Sequence, residues 1–265
     1  MGSIKGYAWN CGGLRRHTAS TLFKVMYFEK TFRDFDFFFF LETHHKDWDD
    51  IPNELLACEG THHIVHSQAG AGDTHTGIIG LIKKKYDVFD VENIIQGRVL
   101  GMGLFDSSAR ERYRISAVYL PTNQNLDVDI LQGIVRALRS DSDNYMILGD
   151  FNFIDHAKDK KGGLGAKDRQ LNKIWVPFLD EMDMVDPFRE QNPNRRVWSF
   201  VGTGVAGNSR IDRVYVGSAN VGNFTNMRYI VTPFHGHRVF SFNVKTGIKW
   251  RRGYYKLTTN LFFRG

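Results

Sequence analysis

Tyr145-Met146-Ile147-Leu148 is an unbroken apolar run that leads straight into Gly149-Asp150-Phe151-Asn152. A strand with one wet face alternates apolar with polar residues, so a run of this kind fits a strand covered on both faces. Gly149 permits a backbone turn beyond it, and alternation then points Asp150 and Asn152 to the same side. A carboxylate and an amide converging at a strand end suit an oxygen-seeking cation or an attacking water. A strand that simply ends in a polar turn is the plainer reading of this one segment.

The same punctuation recurs along the chain. Ile4 to Trp9 alternates and ends at Asn10, followed by Cys11-Gly12-Gly13. Asp36 to Leu41, with four successive phenylalanines, ends at Glu42-Thr43-His44. Arg114 to Val118 ends at Tyr119-Leu120-Pro121, where proline stops ladder pairing. Asp212 stands just before the β-branched stretch that ends at Val216, and His235-Gly236-His237-Arg238 precedes another alternating segment, Val239 to Val244.

Between these strands the apolar period becomes helical. Thr18 to Lys30 carries Leu22, Val25 and Met26 at helical spacing, with Thr18 or Ser20 as cap. Leu126 to Arg139 and Asp168 to Glu181 repeat the pattern. The expected fold is α/β, a two-layered β-sandwich flanked by helices, with strand ends meeting at one rim. The domain is expected to cover residues 1–245, and residues 246–265 to form a polar, aromatic tail.

The formal charge of +6 fits a polyanionic partner, with lysines and arginines gathered at Arg15-Arg16, Lys83 to Lys85, Lys158 to Lys167, Arg195-Arg196 and Arg251-Arg252. Each cluster also reads as a solvated turn. No run of about 18 apolar residues occurs, so no membrane span is expected. The opening residues move directly into a strand without a secretory pattern, and Cys11 and Cys58 are too few for a disulfide framework, which favours a reduced intracellular setting. His62, His63 and His66 lack a suitably spaced carboxylate or cysteine and read as a surface loop; His44 and His45 read as solvent-exposed.

The ordered series Asn10, Glu42, Tyr119, Asp150 with Asn152, Asp212 and His237 resembles the endonuclease/exonuclease/phosphatase family, which includes deoxyribonuclease I and the abasic-site endonucleases. The likeness covers nearly the whole chain. Within the family it is similar to the endonuclease domain of non-LTR retrotransposon polyproteins, through Ser209 to Arg213 and the tail from Trp250 to Leu261, which resembles the stretch leading toward a reverse transcriptase.

This resemblance implies a four-layer α/β/β/α fold and a magnesium-dependent nuclease, manganese being an alternative, that nicks duplex DNA to leave a 3′-hydroxyl and a 5′-phosphate. It implies Glu42 as direct metal ligand, Asn10 and Asp212 as metal support, and Asp150 as the group that positions or deprotonates water. Asn152 and Tyr119 would contact the phosphate, and His237 would stabilise its developing charge. DNA contacts are implied for Ser199 and, at the Val201 to Asn208 hairpin, for Thr203 and Asn208, with Arg195, Arg196 and Arg210 holding the backbone. The implied partners are double-stranded DNA and a reverse transcriptase domain of the same polyprotein, acting in the nucleus. An abasic-site repair enzyme and a non-catalytic DNA-binding module are the alternatives.

One departure stands out. Where the family reads Ser-Asp-His, this chain reads His235-Gly236-His237. The resemblance implies that the missing aspartate accepts a hydrogen bond from the histidine and fixes its tautomer, so His235 or water replaces it, a carboxylate arrives from elsewhere, or the domain is weakened or dead.

Overall fold

Phe37, Phe38, Phe39 and Phe40 form most of β2 (Phe37–Leu41), and all four are fully buried. Alternation divides them between two cores: Phe37 and Phe39 face a core between two sheets, Phe38 and Phe40 a second core beneath helices. The computed structural model describes residues 2–122, 125–140, 144–202, 207–234 and 236–247. The expected tail lies almost wholly outside the described residues.

The first six-stranded sheet has the order β13-β14-β1-β2-β4-β3. It comprises β1 (Ser3–Asn10), β2, β3 (His62–Ser67), β4 (Ile78–Lys83), β13 (Phe224–Ile230) and β14 (Val239–Lys245). The second has the order β5-β6-β7-β8-β12-β9. Its members are β5 (Tyr86–Ile95), β6 (Val99–Asp106), β7 (Glu111–Tyr119), β8 (Tyr145–Asp150), β9 (Met184–Val185) and β12 (Asp212–Gly217). A hairpin of β10 (Phe200–Val201) and β11 (Asn208–Ser209) stands apart from both.

Helices α1 (Ala19–Thr31) and α2 (Asn53–Leu56) cover the first sheet, while α3 (Val128–Ala137) and α4 (Ala166–Glu181) cover the second. A short helix, α5 (Pro187–Gln191), is capped by Asp186. The Thr18 side chain caps α1 as expected, accepting from Thr21 N–H. The inner face of α1 differs from the expected stripe, because Leu22 and Met26 are exposed while Thr21, Lys24, Val25 and Phe28 are buried. Lys24 takes the inner position because its ammonium donates to the carbonyls of Gly12 and Gly13, each at 2.9 Å.

Other expectations change too. His62, His63 and His66 belong to strand β3 rather than to a loop, and His45 is fully buried, its Nε2 3.1 Å from His66 Nδ1. Gly149 lies inside β8 rather than in a turn beyond it. Its φ is +142°, and a Cβ there would fall 1.9 Å from Val118 O, so glycine lets β8 approach β7. Among the described residues no helix is long and apolar enough to cross a membrane.

Two parallel pairs lie at the centres of the sheets, β1 with β2 and β7 with β8. Because parallel neighbours end on the same side, Asn10 comes level with Leu41, just before Glu42, and Tyr119 comes level with Asp150. The antiparallel β12 starts where β8 ends, so Asp212 pairs with Asp150.

Candidate active site

The centre of the rim is a single amide. Asn10 is buried, and its Nδ2 donates to Glu42 Oε2 and to Asp150 Oδ2, both at 2.8 Å, so it joins the ends of the two sheets. Its oxygen accepts from Gly12 N–H at 3.1 Å. In this orientation Asn10 presents its donors to the two carboxylates, while its oxygen, with one lone pair on Gly12 N–H, keeps a second for a cation.

Glu42 follows β2 in a left-handed conformation, φ +57°, as do His44 at +62° and Asn152 at +52°. Such backbone is costly for residues with a side chain and is found where a fold over-determines the position of functional groups. Burial pushes the Glu42 carboxyl up, but hydrogen bonds from His44, Asn10 and Tyr119 outweigh it and hold the group below its ordinary range. His44, expected to be exposed, instead sits with Nε2 3.3 Å from Glu42 Oε1. Burial raises the Tyr119 hydroxyl pKa strongly, reinforced by the charges of Glu42 and Asp150, so Tyr119 stays protonated.

His237 joins two aspartates. Its Nδ1 lies 3.2 Å from Asp212 Oδ2, and its Nε2 lies 3.8 Å from Asp150 Oδ2. Burial alone would lower the imidazole, but Asp212 and then Asp150 overcome it and raise His237 to about 9. Burial and then the charge of Asp212 push Asp150 up to about 7, against the opposing pull of His237 and Asn10. The carboxylate that holds His237 among the described residues is Asp212.

Asn152 does not follow strand alternation, because β8 ends at Asp150. Its N–H donates to Asp150 Oδ1 at 2.9 Å and its side-chain amide donates to Leu120 O at 2.9 Å. It therefore fixes Asp150 from the side rather than pointing into the cleft beside it.

The expected DNA contacts divide. Arg195 and Arg196 are exposed, and Asn208 is half-buried in the hairpin, paired with Val201. Thr203 lies outside the described residues, as does His235. Ser199 is fully buried, and its oxygen accepts from Ile211 N–H at 2.8 Å and Asp212 N–H at 2.9 Å, so it anchors the backbone of Asp212 instead of meeting DNA. Arg210 is also fully buried, forked onto Asp159 at 2.8 and 2.6 Å and bonded to Asp186 at 2.5 Å. Burial in an ion-pair network removes it from the phosphate backbone.

Sequence reading missed the support beneath these groups. Tyr229 OH donates to Asp212 O at 2.9 Å, Arg210 lies 3.4 Å from that hydroxyl, and Arg189 pairs with Asp159. Arg98 lies 4.8 Å from the centre of the Tyr119 ring and donates to Tyr119 O. These partners lie far apart in sequence and carry no local motif. Only the aspartate before Pro187 has a readable signal, a helix cap.

The donor set fits a hard divalent cation. Asp212 Oδ1 is buried with no hydrogen-bond partner among the described residues, a costly state for a carboxylate oxygen unless a cation or water completes it. Asp150 and Asp212 offer carboxylate oxygens within 4.8 Å of one another, Glu42 adds a carboxylate at the partly exposed edge, and the protonated His237 beside them adds no ligand. Such an oxygen-rich set suits magnesium or manganese better than zinc.

The model of the Endonuclease/Exonuclease/phosphatase family matches residues 7–233. The transposon TX1 uncharacterized 149 kDa protein of Xenopus laevis is 26% identical over 174 residues, 63% of this chain and 13% of that protein, so the chain spans a small part of that relative's length. Among solved structures, AP endonuclease LMAP from Leishmania major superposes with a TM-score of 0.73 at 15% identity, covering 92% of this chain and 88% of that one. The endonuclease domain of TRAS1, a telomere-specific non-LTR retrotransposon, superposes with a TM-score of 0.65 at 15% identity, covering 93% and 100%. The two likenesses agree with the α/β/β/α, deoxyribonuclease-I-like arrangement of sheets and helices.

Proposed function

Since the chain belongs to the endonuclease/exonuclease/phosphatase family, matched over residues 7–233, we propose that it is a metal-dependent endonuclease that nicks one strand of duplex DNA. The observation that carries this reading is the placement of His237 between Asp212 and Asp150, with Asp150 tied through Asn10 to Glu42.

Asp150 is the general base. A carboxylate raised to about 7 is ionised in part at neutral pH and basic enough to take a proton from water, the balance that general-base catalysis favours. The water oxygen bonds to phosphorus, the bond from phosphorus to O3′ breaks, and O3′ takes up a proton, leaving a 3′-hydroxyl and a 5′-phosphate. His237, raised to about 9, is cationic at neutral pH and stabilises negative charge gathering on the phosphate. Tyr119 supplies a neutral hydroxyl donor, and Asn10 and Asn152 hold Asp150 in place. Glu42 and Asp212 would hold magnesium or manganese, which when bound neutralises phosphate charge.

The similarity to the TX1 transposon protein and the fold shared with the TRAS1 domain support a mobile-element role. In that role the nick primes reverse transcription at the target site, a reverse transcriptase domain lies in the same polyprotein, and the nucleus is the place of action. The likeness to AP endonuclease LMAP favours abasic-site cleavage as the second reading.

Supercoiled plasmid incubated with magnesium, with chelator in a parallel reaction, followed by end-labelling of the cut, tests the proposal. Magnesium-dependent open circles bearing 3′-hydroxyl ends are expected. No nicking by purified full chain would overturn the enzyme reading, and strong preference for an abasic duplex over an intact one would select the repair reading.

A further inference from the structure

Position 236 is where the chain departs from the family pattern, and its neighbours account for the glycine. The backbone around His237 lies along β10. Val201 N–H donates to Gly236 O at 2.8 Å, Arg238 N–H donates to Ser199 O at 2.7 Å, and Phe200 and His237 form an antiparallel bridge. Because the other edge of β10 pairs with β11, the segment bearing His237 is the third member of a ribbon whose first two members are the hairpin. A Cβ at position 236 would fall 2.4 Å from Val201 O and 2.9 Å from Phe200 Cε2, so any side chain there pushes the hairpin away.

Contacts at the side chains follow the same line. The Phe200 ring centre lies 4.8 Å from that of His237, with the planes at 51°. Ser199, one residue earlier, accepts the N–H groups of Ile211 and Asp212. Both members of the His237 and Asp212 pair are therefore mounted on residues 199–201.

We propose that Phe200 is a positioning residue for His237, through which the β10–β11 hairpin sets the rate of strand cleavage. The proposal rests on the nuclease reading above. With one hydrogen bond at Nδ1 and Asp150 at 3.8 Å from Nε2 the imidazole still has freedom about its side-chain bonds, and an aromatic ring packed against it at a tilt confines it to one rotamer. Phe200 touches no reacting atom. Its loss leaves every reacting group present but His237 less often in place, so the deficit falls on kcat rather than on KM.

The test uses the full chain on supercoiled plasmid with magnesium, comparing wild type with Phe200→Ala, Phe200→Leu and Phe200→Tyr. Expected are a kcat about 10- to 100-fold lower for Phe200→Ala with KM within about threefold, a smaller loss for Phe200→Leu, and near wild-type kcat for Phe200→Tyr. Unchanged kcat in folded Phe200→Ala, a change confined to KM, or a tyrosine variant as poor as the alanine variant would each overturn the proposal. If Phe200→Ala fails to fold, full kcat in Phe200→Leu overturns it instead. A second readout does not depend on cleavage: the His237 ring resonances are expected to be single and sharp in wild type and broadened by exchange in Phe200→Ala. Sharp resonances in both refute the positioning role, whereas a wild type that shows the expected ring behaviour but does not nick refutes only the nuclease reading.

Discussion

His237 Nδ1 lies 3.2 Å from Asp212 Oδ2, so the carboxylate that holds this imidazole comes from the start of β12, 25 residues earlier in the chain. Asp212→Asn keeps the shape and removes the charge. Nicking is expected to fall at least about 100-fold, as when a preorganised charged group is lost, and Asp150→Ala is expected to match it. DNA affinity, measured by gel shift in chelator, should change far less. Near-normal nicking in both variants would mean that the reacting groups lie elsewhere.

Cleavage should be bell-shaped in pH. Asp150 acts as base only when ionised, so the rate is lost as pH falls through about 7. His237 acts as a cation only when protonated, so the rate is lost as pH rises through about 9. In His237→Gln the alkaline limb should vanish while the acid limb persists. A flat profile from about one unit below the lower value to about one unit above the higher would refute the assignment of both roles.

Gly236→Asp introduces the carboxylate that the sequence resemblance leads one to expect, yet it should impair the protein. With Asp212 already paired to His237, a second carboxylate is not needed, and its Cβ would meet Val201 O at 2.4 Å. Nicking is expected to drop about tenfold or more, as for a displaced catalytic group, with a lower Tm. A faster enzyme with unchanged Tm would show that the hairpin yields at no cost.

Arg210→Ala should act on stability rather than on DNA contact. The substitution leaves Asp159 and Asp186 buried without their shared partner, a loss of about 3–5 kcal/mol in comparable networks. Denaturant unfolding measures it. The salt dependence of DNA binding by the folded variant should keep its slope, whereas loss of a phosphate contact would reduce that slope by about 1.

The sequence is most legible where chemistry and position coincide. Asn10, Glu42, Tyr119, Asp150, Asp212 and His237 each follow or begin a recognisable apolar run, and the structure brings them to one rim. The α4 helix was nearly delimited by its apolar period; it starts at Ala166 rather than Asp168 because Asp168 accepts from Gly165 N–H at 3.0 Å. What periodicity conceals is which polar residues are buried. Arg210 and Ser199 look like surface groups until their partners, Asp159 and the Asp212 backbone, are known. Lys24 likewise occupies an inner face that Leu22 and Met26 were better suited to fill, because two loop carbonyls lie within its reach.

The pairing of the last described strand with the first has a consequence for synthesis. β14 closes onto β1 from Ser3 with Lys245 to Ala8 with Phe240, so the first sheet stays incomplete until β14 has left the ribosome. Asn10 and Glu42 are made early, while Asp212 and His237 are made late and reach them only through contacts of very long sequence separation. A chain cut before β12 carries Asn10, Glu42, Tyr119 and Asp150 but lacks Asp212 and His237, and with them the imidazole and its carboxylate partner. Closure of the first sheet by β14 thus comes after both the early and the late polar groups of the rim have been made.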